Sequence, residues 1–74
     1  MKTFYQYVMT YRGKLTEDDE TRLAEWIFSD HNFPKHTYNY DEISRYLECN
    51  SPFLNALNVF DNLWAKYERD EKRL

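Results

Sequence analysis

The strongest constraint on how this chain can fold is a set of large apolar residues whose separations alternate between four and three. The set is Phe53, Leu57, Phe60, Trp64 and Tyr67. Residues with these separations lie along one side of an α-helix, since the helix completes a turn about every 3.6 residues. Ser51 and Pro52 directly precede the set, and they are typical of an N-cap and a first helical position. The sequence therefore predicts a helix over residues 52–70 whose apolar side packs against the rest of the chain.

Cap residues and apolar periodicity predict two helices in the first part of the chain. Thr3 is a candidate N-cap for a helix over residues 3–12, and Gly13 follows where a left-handed residue often ends a helix. Thr16 is a candidate N-cap for a second helix over residues 17–30. The chain has one glycine and two prolines, so few other breaks are available.

A run of acidic residues, 17–20, opens the second predicted helix. Carboxylates in a first turn interact favourably with the unpaired N–H groups there. The alternative is a divalent-cation site, but consecutive carboxylates on a helix point in different directions and rarely converge. We therefore interpret the run as a charged first turn.

Pro34 interrupts the helical pattern and separates the second helix from a third. Asn39 is a candidate N-cap, and Glu42 follows at the spacing of a capping box. The third helix is predicted over residues 40–49. No segment shows the alternating pattern of a β-strand bounded by turn residues. The sequence thus predicts an all-α fold in which residues 1–74 form a single small helical domain.

The aromatic residues are numerous enough to build a core without a metal or a disulfide. Seven Tyr, five Phe and two Trp occur among 74 residues, and each ring can bury roughly 150–250 Å². The predicted core residues are Phe4, Val8, Trp26, Ile27, Phe33, Ile43, Leu47, Phe53, Leu57, Phe60 and Trp64. The single cysteine, Cys49, permits no internal disulfide, and we expect its thiol to be buried as a small apolar group.

Composition argues against several functional classes. The apolar stretches are too short to span a membrane, and no signal sequence is visible. A lone cysteine is typical of a reducing compartment, so we expect a cytoplasmic protein. One glycine cannot form a Gly-rich phosphate loop, and a small domain has little room for a ligand pocket. We therefore expect no enzyme activity, no catalytic residue and no cofactor.

The segment between the second and third predicted helices contains both histidines, His31 and His36. A zinc site needs three or four ligands, and Asp30 and Cys49 are the candidates that would complete one. The histidines are five residues apart across a proline, which does not favour convergence on one metal ion. We predict instead that Phe33 inserts into the core and that the imidazoles lie at helix ends or in water.

Four segments carry a family resemblance. They are FYQYVMTYRG, AEWIFSDHNFPKH, YDEISRYLE and FDNLWAKYE. In this order, nearly end to end, they resemble the YozE family, small proteins of low-GC Gram-positive bacteria. The resemblance implies a compact bundle of four or five helices similar to the sterile-alpha-motif (SAM) class, in agreement with the helices predicted above. The family carries no assigned activity, so the resemblance transfers no catalytic or binding residue.

Two functions are compatible with these observations. The first is a monomeric, non-catalytic interaction module that binds a protein partner. The second is a nucleic-acid-binding accessory domain with a basic face made of Lys2, Arg12, Lys14 and Lys35. The net charge of −3 favours the first function, because nucleic-acid sites need clustered cations. The second gains support if the four basic residues share one face.

Overall fold

The computed structural model describes residues 1–13 and 18–71. Its α-helices are α1 Phe4–Val8, α2 Asp19–Ser29, α3 Tyr40–Cys49 and α4 Ala56–Glu71. A short 3-10 helix, Met9–Tyr11, continues α1. No strand occurs in the part of the chain described. The predicted all-α bundle of four or five helices is therefore confirmed.

The first helix begins where the sequence predicted. The Thr3 hydroxyl oxygen accepts a hydrogen bond from the Gln6 backbone N–H at 3.2 Å, and the Gln6 side chain accepts one from Thr3 N at 3.0 Å. The helix then tightens into the 3-10 turn, where the Thr10 hydroxyl donates to the Tyr7 carbonyl at 2.7 Å and competes with backbone N–H groups for it. Gly13 follows with a φ of 77°, which confirms the predicted left-handed residue.

The second helix begins later than predicted. Its N-cap is Asp18, whose carboxylate accepts from Thr21 N at 2.8 Å. Thr16, the predicted N-cap, lies outside the described residues, and the prediction was wrong because Asp18 occupies that role. An aspartate caps as well as any residue and adds a negative charge at the positive end of the helix dipole.

The third helix has the predicted boundaries, because its cap is local in sequence. The Asn39 side chain accepts from the backbone N–H groups of Asp41 at 2.8 Å and Glu42 at 3.3 Å. The reciprocal half of the predicted capping box is replaced, since Asn39 N donates to the Thr37 hydroxyl at 3.0 Å.

The fourth helix begins four residues later than predicted, at Ala56. Ser51 does not act as its N-cap, because the Ser51 hydroxyl donates to the Phe53 carbonyl at 2.8 Å. The same carbonyl accepts from Ala56 N at 3.1 Å. Residues 50–55 thus form a turn, called here the α3–α4 turn, in place of a first helical turn.

The core is one cluster of buried apolar side chains contributed by the four α-helices and by Phe33. Eight of the eleven predicted core residues are buried, and Trp26, Phe53 and Leu57 are half-buried against the cluster. The prediction omitted Tyr7, Leu23, Ala24, Ala56, Val59, Leu63 and Tyr67, all of which are buried. The tyrosines can be buried because their hydroxyls find partners.

A contact between the two ends of the described chain closes the bundle. The Tyr67 hydroxyl donates to the Lys2 carbonyl at 2.6 Å, and Lys2 N donates to the Glu71 carboxylate at 3.2 Å. One turn away, the Tyr7 hydroxyl donates to the Asp70 carboxylate at 2.7 Å. Burial raises the pKa of both tyrosines, which therefore stay neutral hydrogen-bond donors. These bonds hold α1 against the last turns of α4.

Candidate interaction surface

The α3–α4 turn presents the most exposed large apolar side chain in the described structure. Leu54 has an exposed fraction of 105%, so no neighbouring group shields it. Phe53 precedes it and Leu57 follows it, and both are half-buried against the core. We call these three residues the Leu54 surface. The surface therefore consists of one fully exposed apolar side chain flanked in sequence by two half-buried ones.

The turn is fixed to the rest of the molecule on two sides. Within it, Phe53 O accepts from Ser51 and from Ala56, as described above. From α2, the Arg22 guanidinium carbon lies 4.3 Å from the centre of the Phe53 ring. Arg22 also donates to the Asp19 carboxylate at 3.3 Å. Leu54 is therefore displayed from an anchored turn.

The segment around the Leu54 surface carries no charge. Residues 49–60 contain no Asp, Glu, Lys or Arg, which is the longest uncharged run in the sequence. Its exposed polar positions include the amide side chains of Asn50, Asn55 and Asn58. The Asn58 amide donates to the Asn55 side-chain oxygen at 2.8 Å. These residues contribute no charge to the surface, so the cation in contact with it is Arg22 from α2.

Arg12, one of the four residues of the predicted basic face, is paired within the protein. Its Nε donates to the Glu25 carboxylate at 3.0 Å, and its guanidinium carbon lies 3.4 Å from the centre of the Phe28 ring. The hydrogen bond from Arg12, followed by one from Gly13 N, lowers the pKa of the Glu25 carboxyl, so this partner stays ionised. The positive charge of Arg12 is thus largely balanced within the protein.

Lys2 and Lys35 lie near the first residues of α1. Arg12 lies beyond the opposite end of that helix. The Lys35 Nζ lies 5.4 Å from the centre of the Tyr5 ring. The Tyr38 hydroxyl donates to the Met1 carbonyl at 3.4 Å, which links the Lys35 segment to the start of the chain. Lys14 lies outside the described residues. The nucleic-acid role of the four basic residues stays a prediction.

The segment with the two histidines is a packed connection, as predicted. Phe33 is only 3% exposed, and its ring contacts those of Tyr46 and Tyr5 at centroid distances of 5.7 and 6.2 Å. His31 and His36 are exposed on either side of it. Across residues 1–13 and 18–71, no three His, Cys, Asp or Glu side chains are grouped so that they could hold a metal ion.

Asp30, one of the candidate metal ligands, has another role. Its carboxylate accepts from the Tyr46 hydroxyl and from Asn32 N, the latter at 3.2 Å. The hydrogen bond to Asp30 raises the pKa of Tyr46 to about 12. Asp30 thereby ties the end of α2 to α3.

Cys49 is exposed, so the prediction of a buried thiol was wrong. Cys49 is the last residue of α3, two positions beyond the buried Leu47. Two positions turn a helix by about 200°, which places the side chain on the opposite side from the core.

A family model described as YozE SAM-like fold matches residues 3–69, most of the chain. The chain belongs to the YozE SAM-like family. A UPF0346 protein of Oceanobacillus iheyensis is 68% identical over 47 residues, which are 64% of this chain and 63% of that protein. The UPF0346 protein YuiB of Lactococcus lactis is 49% identical over 65 residues, covering 88% of this chain and 94% of YuiB.

The predicted SAM-like fold is confirmed by a solved YozE-family structure. The solution NMR structure of the UPF0346 protein yozE from Bacillus subtilis matches with a TM-score of 0.84 and 40% identity. The match covers 100% of this chain and 92% of that one. The names of these relatives state no reaction and no ligand. No described helix of this YozE-family chain is both long and apolar enough to cross a membrane.

Sequence reasoning missed Leu54 and Arg22 as surface features of this YozE-family chain. The exposure of Leu54 was not predicted, because Leu54 flanks the apolar set of α4 and resembled an ordinary helix residue. Arg22 was hidden because its contact with Phe53 joins residues far apart in sequence. The uncharged run over residues 49–60 was the available signal, since surface segments of that length normally include charges.

Proposed function

We propose that this YozE-family chain is a non-catalytic interaction module that binds a protein partner through the Leu54 surface. The observation that carries the proposal is the complete exposure of Leu54 on an anchored turn. Covering such a side chain with apolar groups contributes roughly 1.5–3 kcal/mol. The hydrogen bonds of the turn and its contact with Arg22 reduce the entropy lost on binding.

The charge of the surface favours a protein segment as its occupant. Residues 49–60 carry no cation, and Arg22 beside Phe53 is a single cation paired with Asp19, whereas nucleic-acid binding needs clustered cations that contact the phosphate backbone. The expected partner presents apolar side chains that pack around Leu54 and between the half-buried Phe53 and Leu57. The exposed asparagines of the same segment suit hydrogen bonds to the partner's backbone.

The size of the surface argues against a second copy of the chain as the occupant. A stable dimer buries roughly 800 Å² on each partner. One fully exposed and two half-buried side chains fall well short of that area. A small apolar contact suits a transient complex with a short segment of another protein.

The test is selection from a displayed library of random linear peptides on the immobilised wild-type protein. We expect the enriched peptides to contain large apolar residues and to lose binding when Leu54→Asn replaces the wild type. Leu54→Asn is expected to change stability by no more than about 0.5 kcal/mol, because the side chain has no contacts to lose. Tyr38→Asn, at an exposed large apolar residue outside the Leu54 surface, is the control and is expected to bind the peptides normally.

Three results would contradict the proposal. Enriched peptides that bind Leu54→Asn as well as the wild type would place the site elsewhere. A sedimentation-detected dimer that dissociates in Leu54→Asn would make a second copy the occupant. Binding of single-stranded RNA that is lost in Lys35→Ala and retained in Leu54→Asn would support the nucleic-acid alternative.

A further inference from the structure

We propose that Arg22 is a second contact of the Leu54 surface and that it binds a carboxylate of the partner. This inference rests on the protein-binding role proposed above and adds the partner's chemistry to it. The partner is then expected to present an acidic side chain next to an apolar one. Neither the relatives' names nor the family description assigns a role to Arg22.

The contacts of Arg22 leave one edge of its guanidinium available. Nη1 donates to Asp19, while the guanidinium plane lies near the Phe53 ring. Among the described residues, Nε and Nη2 have no hydrogen-bond acceptor. The N–H groups on these two atoms are parallel, and they match the two oxygens of a carboxylate. The side chain is 46% exposed, so a partner can reach this edge.

The position of Arg22 couples it to Leu54. The guanidinium contacts Phe53, the residue immediately before Leu54, so a segment that covers both Phe53 and Leu54 also passes this cation. Arginine is one of the residue types enriched among those that dominate binding energy at protein interfaces. Because residues 49–60 carry no charge, the cation that contacts the surface comes from α2, where Arg22 lies against Phe53.

Asp19 is expected to oppose this binding. It holds the guanidinium at 3.3 Å in a pair whose two side chains are about half exposed, and such pairs are weak. The negative charge of Asp19 also repels an incoming carboxylate. Removing that charge should therefore tighten binding, a result that a purely structural role for Arg22 does not predict.

The experiment uses the peptides from the selection described above that bind the wild type and fail to bind Leu54→Asn. Their dissociation constants are measured by fluorescence anisotropy. Arg22→Met keeps an unbranched side chain over Phe53 but removes the donors, and we expect about tenfold weaker binding or more. Asp19→Asn is expected to bind about twofold more tightly. Asp41→Asn removes the same charge from the first turn of α3 and is the matched control, expected to bind like the wild type.

A second arm identifies the carboxylate. We expect the selected peptides to contain an acidic residue, and its replacement by the corresponding amide should weaken binding to the wild type but not further weaken binding to Arg22→Met. Peptides that lack an acidic residue, or wild-type affinity of Arg22→Met, would overturn the inference while leaving the Leu54 contact in place. Peptides that bind Leu54→Asn as tightly as the wild type would contradict the proposed function as well. Asp19→Asn retains Arg22, so it tests the inference even if Arg22→Met is poorly folded.

Discussion

The Glu25 carboxylate connects α2 to the residues that follow the 3-10 helix. It accepts from Arg12 Nε at 3.0 Å and from Gly13 N at 3.3 Å, just where the chain leaves the 3-10 turn. The same contact places the Arg12 guanidinium over the exposed Phe28 ring. One acidic residue on α2 therefore sets both the path of the backbone and the charge that this corner presents to solvent.

Glu25→Gln is expected to make stability less dependent on pH. The contacts lower the pKa of Glu25 in the folded state below its unfolded value of about 4.3, so they stabilise the fold above that pH. The stabilisation is lost as the pH falls through the folded pKa. Thermal denaturation should give the wild type a higher melting temperature than Glu25→Gln near neutral pH, and equal melting temperatures in strong acid.

Glu48→Gln is the control for that experiment, because Glu48 is exposed on α3. Its melting temperature should follow that of the wild type at every pH. A difference between Glu25→Gln and the wild type that stays constant into strong acid would contradict the assignment to an ionised carboxylate.

At the scale of elements, the α2–α3 connection depends on one side chain. Phe33→Ala should lower the melting temperature by several degrees or more, since about 1 kcal/mol moves the midpoint of a domain of this size by about 4–8 °C. Phe33 is buried against Tyr46 and Tyr5, so its removal leaves a cavity as well as lost apolar contact.

The paired control for Phe33 is the double replacement of His31 and His36 by Gln. Both imidazoles are exposed, so the melting temperature at neutral pH should change little. Added zinc or a chelator should leave the wild-type melting temperature unchanged. A melting temperature that falls with chelator would restore the metal site that the sequence first suggested.

The helix starts show which parts of the fold could be predicted from sequence. The start of α3 was predictable because Asn39 reaches N–H groups only two and three residues away. The start of α4 was not, although Ser51 and Pro52 form a strong local signal. The Ser51 hydroxyl instead donates to the Phe53 carbonyl two residues on, and Arg22 from α2 contacts the Phe53 ring, a contact between distant segments that the local pattern does not contain.

The candidate site could not be predicted from sequence for the same physical reason. The apolar set of α4 predicted a buried side, and Phe60, Trp64 and Tyr67 are buried, whereas Phe53 and Leu57 at its start are half-buried. Leu54 became visible as an exposed residue only once the turn had replaced the first helical turn. Apolar periodicity predicts a regular helix, so it does not predict a surface that forms where a turn replaces the first turn of the helix.

At the scale of the whole molecule, the Tyr67 hydroxyl is the buried link between the two ends of the fold. Tyr67→Phe removes the bond to the Lys2 carbonyl and should cost about 1 kcal/mol, or about 4–8 °C in melting temperature. Tyr40→Phe is the matched control. It removes a hydroxyl that donates to Asp61 at 2.6 Å in an exposed position, where water can replace it, and its effect should be smaller. Equal melting temperatures for the two variants would show that burial of the Tyr67 bond adds nothing.

The contact of Lys2 with Tyr67 and Glu71 also decides how the molecule responds to mechanical force. If tension is applied between residues 2 and 71, both handles pull at the same place on the surface. The load then falls first on these two hydrogen bonds and next on the bond between Tyr7 and Asp70, one after another. Bonds that break in sequence resist far less force than bonds that must break together. A tether at this pair should therefore peel α1 from α4 at low force, whereas a tether through the middle of α2 and α4 should meet the whole core at once.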